Sequence, residues 1–231
     1  MHHNHKAKEN FNVKKIIIGT TLATSLLVGF GARPLAETTS TNSAGTIHLV
    51  GDDTAPTPVD PNETITPEDG KETGSNGPLS IDYVPNFLFG DVTIGSTTVT
   101  AMDTNSNPFV QVSDKRGTGE GWTLKLAATP FKNEEKGTQL AGTTLTIGSI
   151  NAQATDGNNP SAAPTVQSQA YGTSETDGKI IMKAAKDAGM GTWKGKFKTG
   201  NDNTVQLTVP SGNKAGDYTS VLTWTLSDAP E

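Results

Sequence analysis

From Leu79 onward hydrophobic residues alternate with polar ones in short runs, and Gly, Asn and Asp recur between the runs. Successive strand side chains point to opposite faces, so each run places every second residue on one side. The last run is the most regular. Tyr218, Ser220, Leu222, Trp224 and Leu226 fall on one face, and Thr219, Val221, Thr223 and Thr225 on the other. In a second run Trp122, Leu124 and Leu126 share a face, while Thr123 and Lys125 point away. Further runs are Ile81-Asp82-Tyr83-Val84, Phe87-Leu88-Phe89, Val92-Thr93-Ile94 and Phe109-Val110-Gln111-Val112. Leu145-Thr146-Ile147, Ile180-Ile181-Met182 and Val205-Gln206-Leu207-Thr208-Val209 complete the set. Turn residues about every ten positions predict an all-β fold, a β-sandwich or barrel-like arrangement of short, mainly antiparallel strands.

Two stretches break the pattern. Residues 148–174 are rich in Asn, Ala, Ser and Pro and read as a long loop or insertion. Residues 182–188 have helix-forming composition before Gly189, so one short helix is expected there.

The N-terminal part is different in kind. Lys6, Lys8, Lys14 and Lys15 precede a mostly apolar run over residues 16–31, the pattern of an export signal over residues 1–36 with cleavage after Ala36. That run is too short and too rich in Gly and Thr for a membrane span, which needs about 20 residues. Direct membrane insertion after cleavage is therefore not expected. Residues 37–79 hold Pro56, Pro58, Pro61, Pro67 and Pro78, with many acids and only Lys71 among basic residues. Such a stretch has little apolar surface to offset its ordering entropy and reads as an acidic linker. Ile47-His48-Leu49-Val50 is its one apolar patch, a candidate strand for docking on the domain that follows at residues 80–231.

Charge and cysteine narrow the function. The whole chain carries 18 basic and 24 acidic residues. Removing the signal's five basic residues and one acid leaves 13 and 23, a net charge of −10. An acidic domain without a basic cluster argues against nucleic acid as partner. No cysteine is present, which excludes disulfide staples and thiol catalysis. Catalysis finds little else to use. Of four histidines only His48 lies outside the signal, and Glu134, Glu135, Glu175 and Asp177 sit in polar turns. Asn201-Asp202-Asn203 and 156–159 do not fit a calcium loop, and turn chemistry accounts for them. No cofactor and no metal is expected.

Several words in order give the chain a family resemblance. They are Ser80-Ile81-Asp82-Tyr83-Val84-Pro85-Asn86-Phe87-Leu88-Phe89-Gly90, then Asp114-Lys115-Arg116-Gly117-Thr118-Gly119-Glu120-Gly121-Trp122-Thr123-Leu124. Gly189-Met190-Gly191-Thr192-Trp193 follows, and Trp224-Thr225-Leu226 stands near the C-terminus. In these the chain resembles the WxL domain, a cell-wall-associated module of low-GC Gram-positive bacteria. The resemblance implies non-covalent attachment through peptidoglycan. It also implies assembly with membrane-anchored proteins that carry immunoglobulin-like domains, and with larger WxL proteins. An adhesive subunit whose ligand is another bacterial surface protein or host matrix protein is the alternative. The sequence ends without an apolar tail or a Leu-Pro-x-Thr-Gly-like word, so retention is expected to rest on binding.

The candidate contacts divide by their neighbours. Trp122 and Trp224 share strand faces with Leu124 and Leu226, and leucines belong to cores rather than to sugar platforms. Trp193, with Lys194 after it, is the better candidate for stacking on a sugar ring. Asp114 and Arg116 allow two readings, polar recognition of glycan or stem peptide and a local ion pair that fixes a turn. Sequencing the N-terminus of the secreted form is expected to read Glu37 first. A mature chain beginning at Met1 would contradict the export signal.

Overall fold

Alternation in the sequence becomes antiparallel pairing in space. The computed structural model describes residues 43–52, 54, 68–172 and 177–228. The export signal at 1–36 and most of the proline-rich linker lie outside the described residues. Two compact units are delimited, Met1–Thr46 and Ile47–Glu231. Of the first, residues 43–46 are described, exposed and without regular structure. All that follows concerns the second.

The strands begin with β1 (Gly70–Glu72), β2 (Leu79–Pro85), β3 (Val99–Met102), β4 (Phe109–Asp114) and β5 (Trp122–Ala128). Next come β6 (Lys132–Asn133), β7 (Thr138–Gln139), β8 (Thr144–Ile147), β9 (Asn151–Ala154), β10 (Thr165–Val166) and β11 (Gln169–Tyr171). The chain closes with β12 (Lys179–Ala184), β13 (Gly191–Lys196), β14 (Lys198–Thr199), β15 (Asp202–Asn203), β16 (Val205–Val209) and β17 (Leu222–Ser227). They form a five-stranded sheet in the order β1-β2-β4-β13-β9 and two four-stranded sheets, β10-β12-β5-β17 and β11-β8-β16-β3. Two small ribbons, β6-β7 and β14-β15, are appended. The fold is all-β, a sandwich-like packing of antiparallel sheets.

The two Trp-Thr-Leu strands are direct neighbours. Trp224 lies opposite Leu126 and Leu226 opposite Leu124 on β17 and β5. On its other side β5 pairs with β12, which sets Ala184 opposite Trp122 and Met182 opposite Leu124. Trp122, Leu124 and Leu126 are fully buried and join residues of all three sheets in one core, among them Val110, Ile147, Val205 and Phe197. The Trp122 indole N–H donates to the Gly189 carbonyl at 3.0 Å, so its one polar atom is satisfied. Gly189 has φ of +68°, and a Cβ there would overlap that of Ala184 and lie 2.8 Å from the indole nitrogen. Gly195 on β13 is needed for a different reason, because a Cβ would collide with Met182 across the sheet interface.

A polar set is buried on the opposite face of the five-stranded sheet. Ile81 pairs with Val112 and Tyr83 with Gln111, so Asp82 is the extra residue of a bulge. Its carboxylate accepts from Ser80 Oγ at 2.7 Å, Gln111 Nε2 at 2.7 Å and Ser113 Oγ at 2.6 Å. Ser113 in turn meets Thr192 at 2.8 Å. A buried carboxylate is tolerable only with such donors, which accounts for the polar letters in the Ser-Ile-Asp-Tyr word.

Four expectations change. The short helix over 182–188 is instead the end of β12 and a turn with Asp187 at φ of +63°, since burial of Met182 and Ala184 against β5 outweighs weak helix propensity. Residues 148–174 supply β9, β10 and β11, whose edge positions select polar residues and so hide the hydrophobic alternation. Residues 86–98 are irregular. Phe87 packs edge-on against Phe197 and Phe89 against Phe131, while the backbone of Leu88 bonds to the Asp103 carboxylate and the Thr104 amide. Finally, Gly70–Glu72 at the end of the acidic stretch adds to β2 as a sheet edge.

Because Trp122 is fully enclosed and Trp224 only half-buried, their truncations should differ. Trp122→Ala is expected to lose about 3–5 kcal/mol of unfolding free energy in urea, and Trp224→Ala roughly half that. Equal losses would contradict the difference in burial.

Candidate functional site

The loop between β4 and β5 is built on one ion pair. Arg116 donates Nε–H to Asp114 Oδ1 at 2.9 Å and Nη2–H to Oδ2 at 2.8 Å, then Nη2–H to the Gly121 carbonyl at 2.7 Å. Nη1 reaches Glu120 at 3.4 Å and the Asp228 carbonyl, just past β17, at 3.3 Å. The Asp114 carboxylate pushes the Arg116 pKa further up, against the effect of burial. The side chain of Asp114 is wholly buried and that of Arg116 is 11% exposed. This arrangement holds the loop and joins it to the end of the last strand. On the outer side Lys115 pairs with Asp52 at 3.2 Å, and the Asp52 amide donates to the Lys115 carbonyl. That contact tethers the chain after Ile47-His48-Leu49-Val50, whose apolar side chains stay exposed.

The Gly-rich word before β13 locks against the same loop. The Asp187 amide donates to the Gly119 carbonyl at 2.7 Å, and Met190 accepts through its carbonyl from Asn159 Nδ2 and from the Trp193 indole. Trp193 lies within β13 opposite Val112 and Ala154 and is 5% exposed. Its ring faces are enclosed by protein. Lys194 is also buried, with Nζ 5.6 Å from the centre of the Phe109 ring. The candidates Asp114, Arg116, Trp122, Leu124, Trp193 and Lys194 thus come together within two interlocked loops and the strands they feed, with their polar atoms turned inward.

Two surfaces remain open. The first follows β17, an edge strand with no neighbour on its outer side among the described residues. Its Leu222, Trp224 and Leu226 are half-buried, and Trp224 meets Phe197 edge-on at 6.1 Å. Half-buried Phe87, Phe89, Phe131 and Tyr218 extend this aromatic seam along the core. The second is a polar cleft of about 540 Å³ at the β9 side of the five-stranded sheet. Asn151 and Gln153 of β9, Lys196 of β13, Lys198 of β14 and the Ser106-Asn107 turn line it. Lys196 stands opposite Asn151, and Lys194 opposite Gln153.

The cleft was not visible as a unit in the sequence, because its residues come from three separate segments. The spacing of Asn151 with Gln153 and of Lys194 with Lys196 is the one available signal, since each pair shares a strand face. The supporting turn is held by Asp103 and Asn105. Asp103 Oδ1 accepts from the amides of Leu88 at 2.7 Å and Asn105 at 3.1 Å. Burial nonetheless raises its pKa above the ordinary 3.8, with the Asp69 charge adding to the rise and Lys198 opposing it. Among the described residues no group of three or more His, Cys, Asp or Glu side chains is placed to hold a metal.

Comparison with known proteins gives one family. A family model described as WxL domain surface cell wall-binding matches residues 36–230. No curated protein and no solved structure matches the chain.

Asp103 has a consequence for stability. A carboxyl whose folded pKa is raised binds its proton more tightly in the native state. Its contribution is full below the unfolded value near 3.8 and is lost as pH rises through the folded value. Asp103→Asn retains a carbonyl oxygen for the Leu88 and Asn105 amides but cannot ionise. Urea midpoints measured from about pH 4 to pH 7 should therefore fall less steeply in the variant than in the parent. An identical slope would show that Asp103 does not titrate in this way.

Proposed function

The chain belongs to the WxL family of surface cell wall-binding domains, and on that footing we propose that it attaches non-covalently to peptidoglycan and assembles there with other surface proteins. The observation that carries this is the family match, which spans nearly the whole chain. Surface location and wall binding follow from the family. The finer reading takes residues 1–36 as a cleaved export signal, 37–79 as the acidic linker, whose end pairs with the domain through β1, and 80–231 as the binding domain.

Chemistry on the surface supports a binding role for the domain, without catalysis. Its open features are shallow: a polar cleft with amide and lysine side chains, and an aromatic seam beside a strand edge that is unpaired among the described residues. Amides, ammonium groups and half-exposed rings match the amides, carboxylates and sugar faces of peptidoglycan. Trp193 and Lys194 act in this reading as the support of that face. Asp114 and Arg116 hold the loop that joins β4, β5 and the end of β17.

Partner assembly has its own support. Ile47, Leu49 and Val50 are exposed apolar side chains on a segment without regular structure tethered at Asp52, and β17 offers backbone groups with no partner strand among the described residues. Strand addition at such an edge is a common mode of protein recognition. Membrane-anchored proteins with immunoglobulin-like domains and larger WxL proteins are the partners proposed. The same features favour the second reading, an adhesive subunit whose ligand is another bacterial surface protein or a host matrix protein.

Isolated sacculi separate the readings. Saturable binding that survives protease treatment of the walls is expected if peptidoglycan is the ligand. Loss of binding after protease would transfer the ligand to a protein. Release of muropeptides would contradict the non-catalytic assignment.

A further inference from the structure

The polar cleft has features that a merely solvated surface does not require. The protein is acidic overall, with 24 acidic against 18 basic residues, yet the lining of this cleft contains two lysines and no carboxylate among the described residues. The lining amides and hydroxyl come from Asn107, Asn151, Gln153 and Ser106. Asn107 is the telling residue. Its Nδ2 is shielded from solvent and has no hydrogen-bond partner among the described residues, so a ligand in the cleft meets it once the side chain turns outward, while its backbone amide is committed to Asn105 Oδ1 at 2.8 Å. A buried donor without an acceptor is costly unless a ligand or water supplies one.

The walls are also fixed in advance. Asn105 Nδ2 donates to the carbonyls of Asp69 at 2.6 Å and Asn86 at 2.7 Å, which pins the turn that carries Ser106 and Asn107. From the other side Asn203 Nδ2 donates to the carbonyls of Asp103 at 2.6 Å and Asn105 at 2.8 Å, tying the β14-β15 hairpin to that turn. The Phe197 amide donates to the Pro108 carbonyl at 2.9 Å, and Lys198 Nζ donates to the Ser106 carbonyl at 2.8 Å. Lys198 is thereby held at the cleft wall, with further N–H donors on the same nitrogen. Two carboxylates lie close by: Asp103, whose pKa Lys198 acts to lower, and Asp69, which accepts from Ser106 Oγ at 3.4 Å. Donors held in place before binding reduce the ordering cost of capturing an anion.

We propose that this cleft is an oxyanion subsite. It takes a carboxylate or phosphate group borne on a hydroxyl- and amide-rich polymer, with Lys196 and Lys198 facing the charge and Asn107, Asn151 and Gln153 donating to or accepting from its neighbours. The choice of a wall polymer as the source rests on the wall-binding reading above; the anion site itself rests on the cleft. Two wall sources carry this chemistry, the carboxylates of peptide stems and the phosphates of anionic wall polymers.

Soluble probes test the site without requiring whole walls. N-acetylmuramoyl dipeptide, glycerol phosphate and neutral N-acetylglucosamine are titrated separately into the protein, with the side-chain amide resonances of Asn107, Asn151 and Gln153 followed by NMR. Saturable shifts with at least one anionic probe are expected, with at least about a tenfold loss of affinity in Lys196→Glu at unchanged melting temperature. Asn107→Ala provides a second variant should the charge reversal fail to fold, and a weakened response is expected there too. A response to the dipeptide alone identifies a stem carboxylate, and a response to glycerol phosphate alone identifies a phosphate polymer. No shift with either anion, an equal response in the variants, or an equal response to the neutral sugar overturns the proposal. Binding to sacculi scored in parallel separates the two readings. Loss of wall binding with the amide shifts intact would reject the wall reading and leave the subsite standing; the reverse would reject the subsite alone.

Discussion

Everything else in this domain is arranged around the enclosure of one indole. Trp122 is fully buried at the start of β5, and its N–H must find an acceptor inside the protein. The Gly189 carbonyl supplies it at 3.0 Å. For that carbonyl to be in place, Gly189 must take positive φ and carry no side chain, and Ala184 must be small. Gly121 before the tryptophan is under the same pressure, because a Cβ there would come within 2.8 Å of the Ala185 carbonyl. Thus the Gly-rich words that mark the family surround a tryptophan. They are the space it needs.

That enclosure links elements far apart in the chain. The loop before β5 is closed by Arg116 and Asp114, and Arg116 also reaches the Asp228 carbonyl beyond β17. The last strand therefore pairs along β5 and is held at its end by the loop that precedes β5. On the opposite face of the five-stranded sheet, Asp82 and its hydroxyl and amide donors fix the register of β2 against β4 through a bulge. With both faces of β4 buried, the residues available for binding are displaced to edges: β9 and the hairpin beside it, and β17.

The strands were legible where one face is apolar and the other polar. β5, β16 and β17 have that form, and the leucines that share a face with Trp122 and Trp224 marked both strands as core-facing. Three kinds of element were not. β9, β10 and β11 are short edge strands of polar residues, where pairing is decided by backbone bonds rather than by burial. Residues 182–184 have helix-forming letters but lie against Trp122 and Leu124, and tertiary packing outweighs their propensity. Phe87 to Ile94 has strand-like letters, yet the Asp103 carboxylate takes the amide of Leu88 and holds the segment off any ladder. For the site, the motif letters pointed inward. Trp193 was the better candidate for stacking on a sugar ring, whereas it enters β13 and is buried there, after glycines that serve the turn. The cleft residues are common polar types that only the pairing of β9 with β13 and the Asn203 tether bring together.

The residues by which the domain is recognised are therefore distinct from those proposed to meet a ligand. Trp122 specifies the fold, and the polar cleft and the β17 edge are the surfaces proposed to present the chemistry. Trp122→Phe tests that separation most directly, since it removes the indole N–H and leaves an aromatic ring in place. Melting temperature and sacculus binding are measured on the same preparation, below the variant's transition. A lowered melting temperature with wall affinity unchanged is the predicted result. Unchanged melting temperature with binding lost would show that Trp122 serves the ligand and not the core.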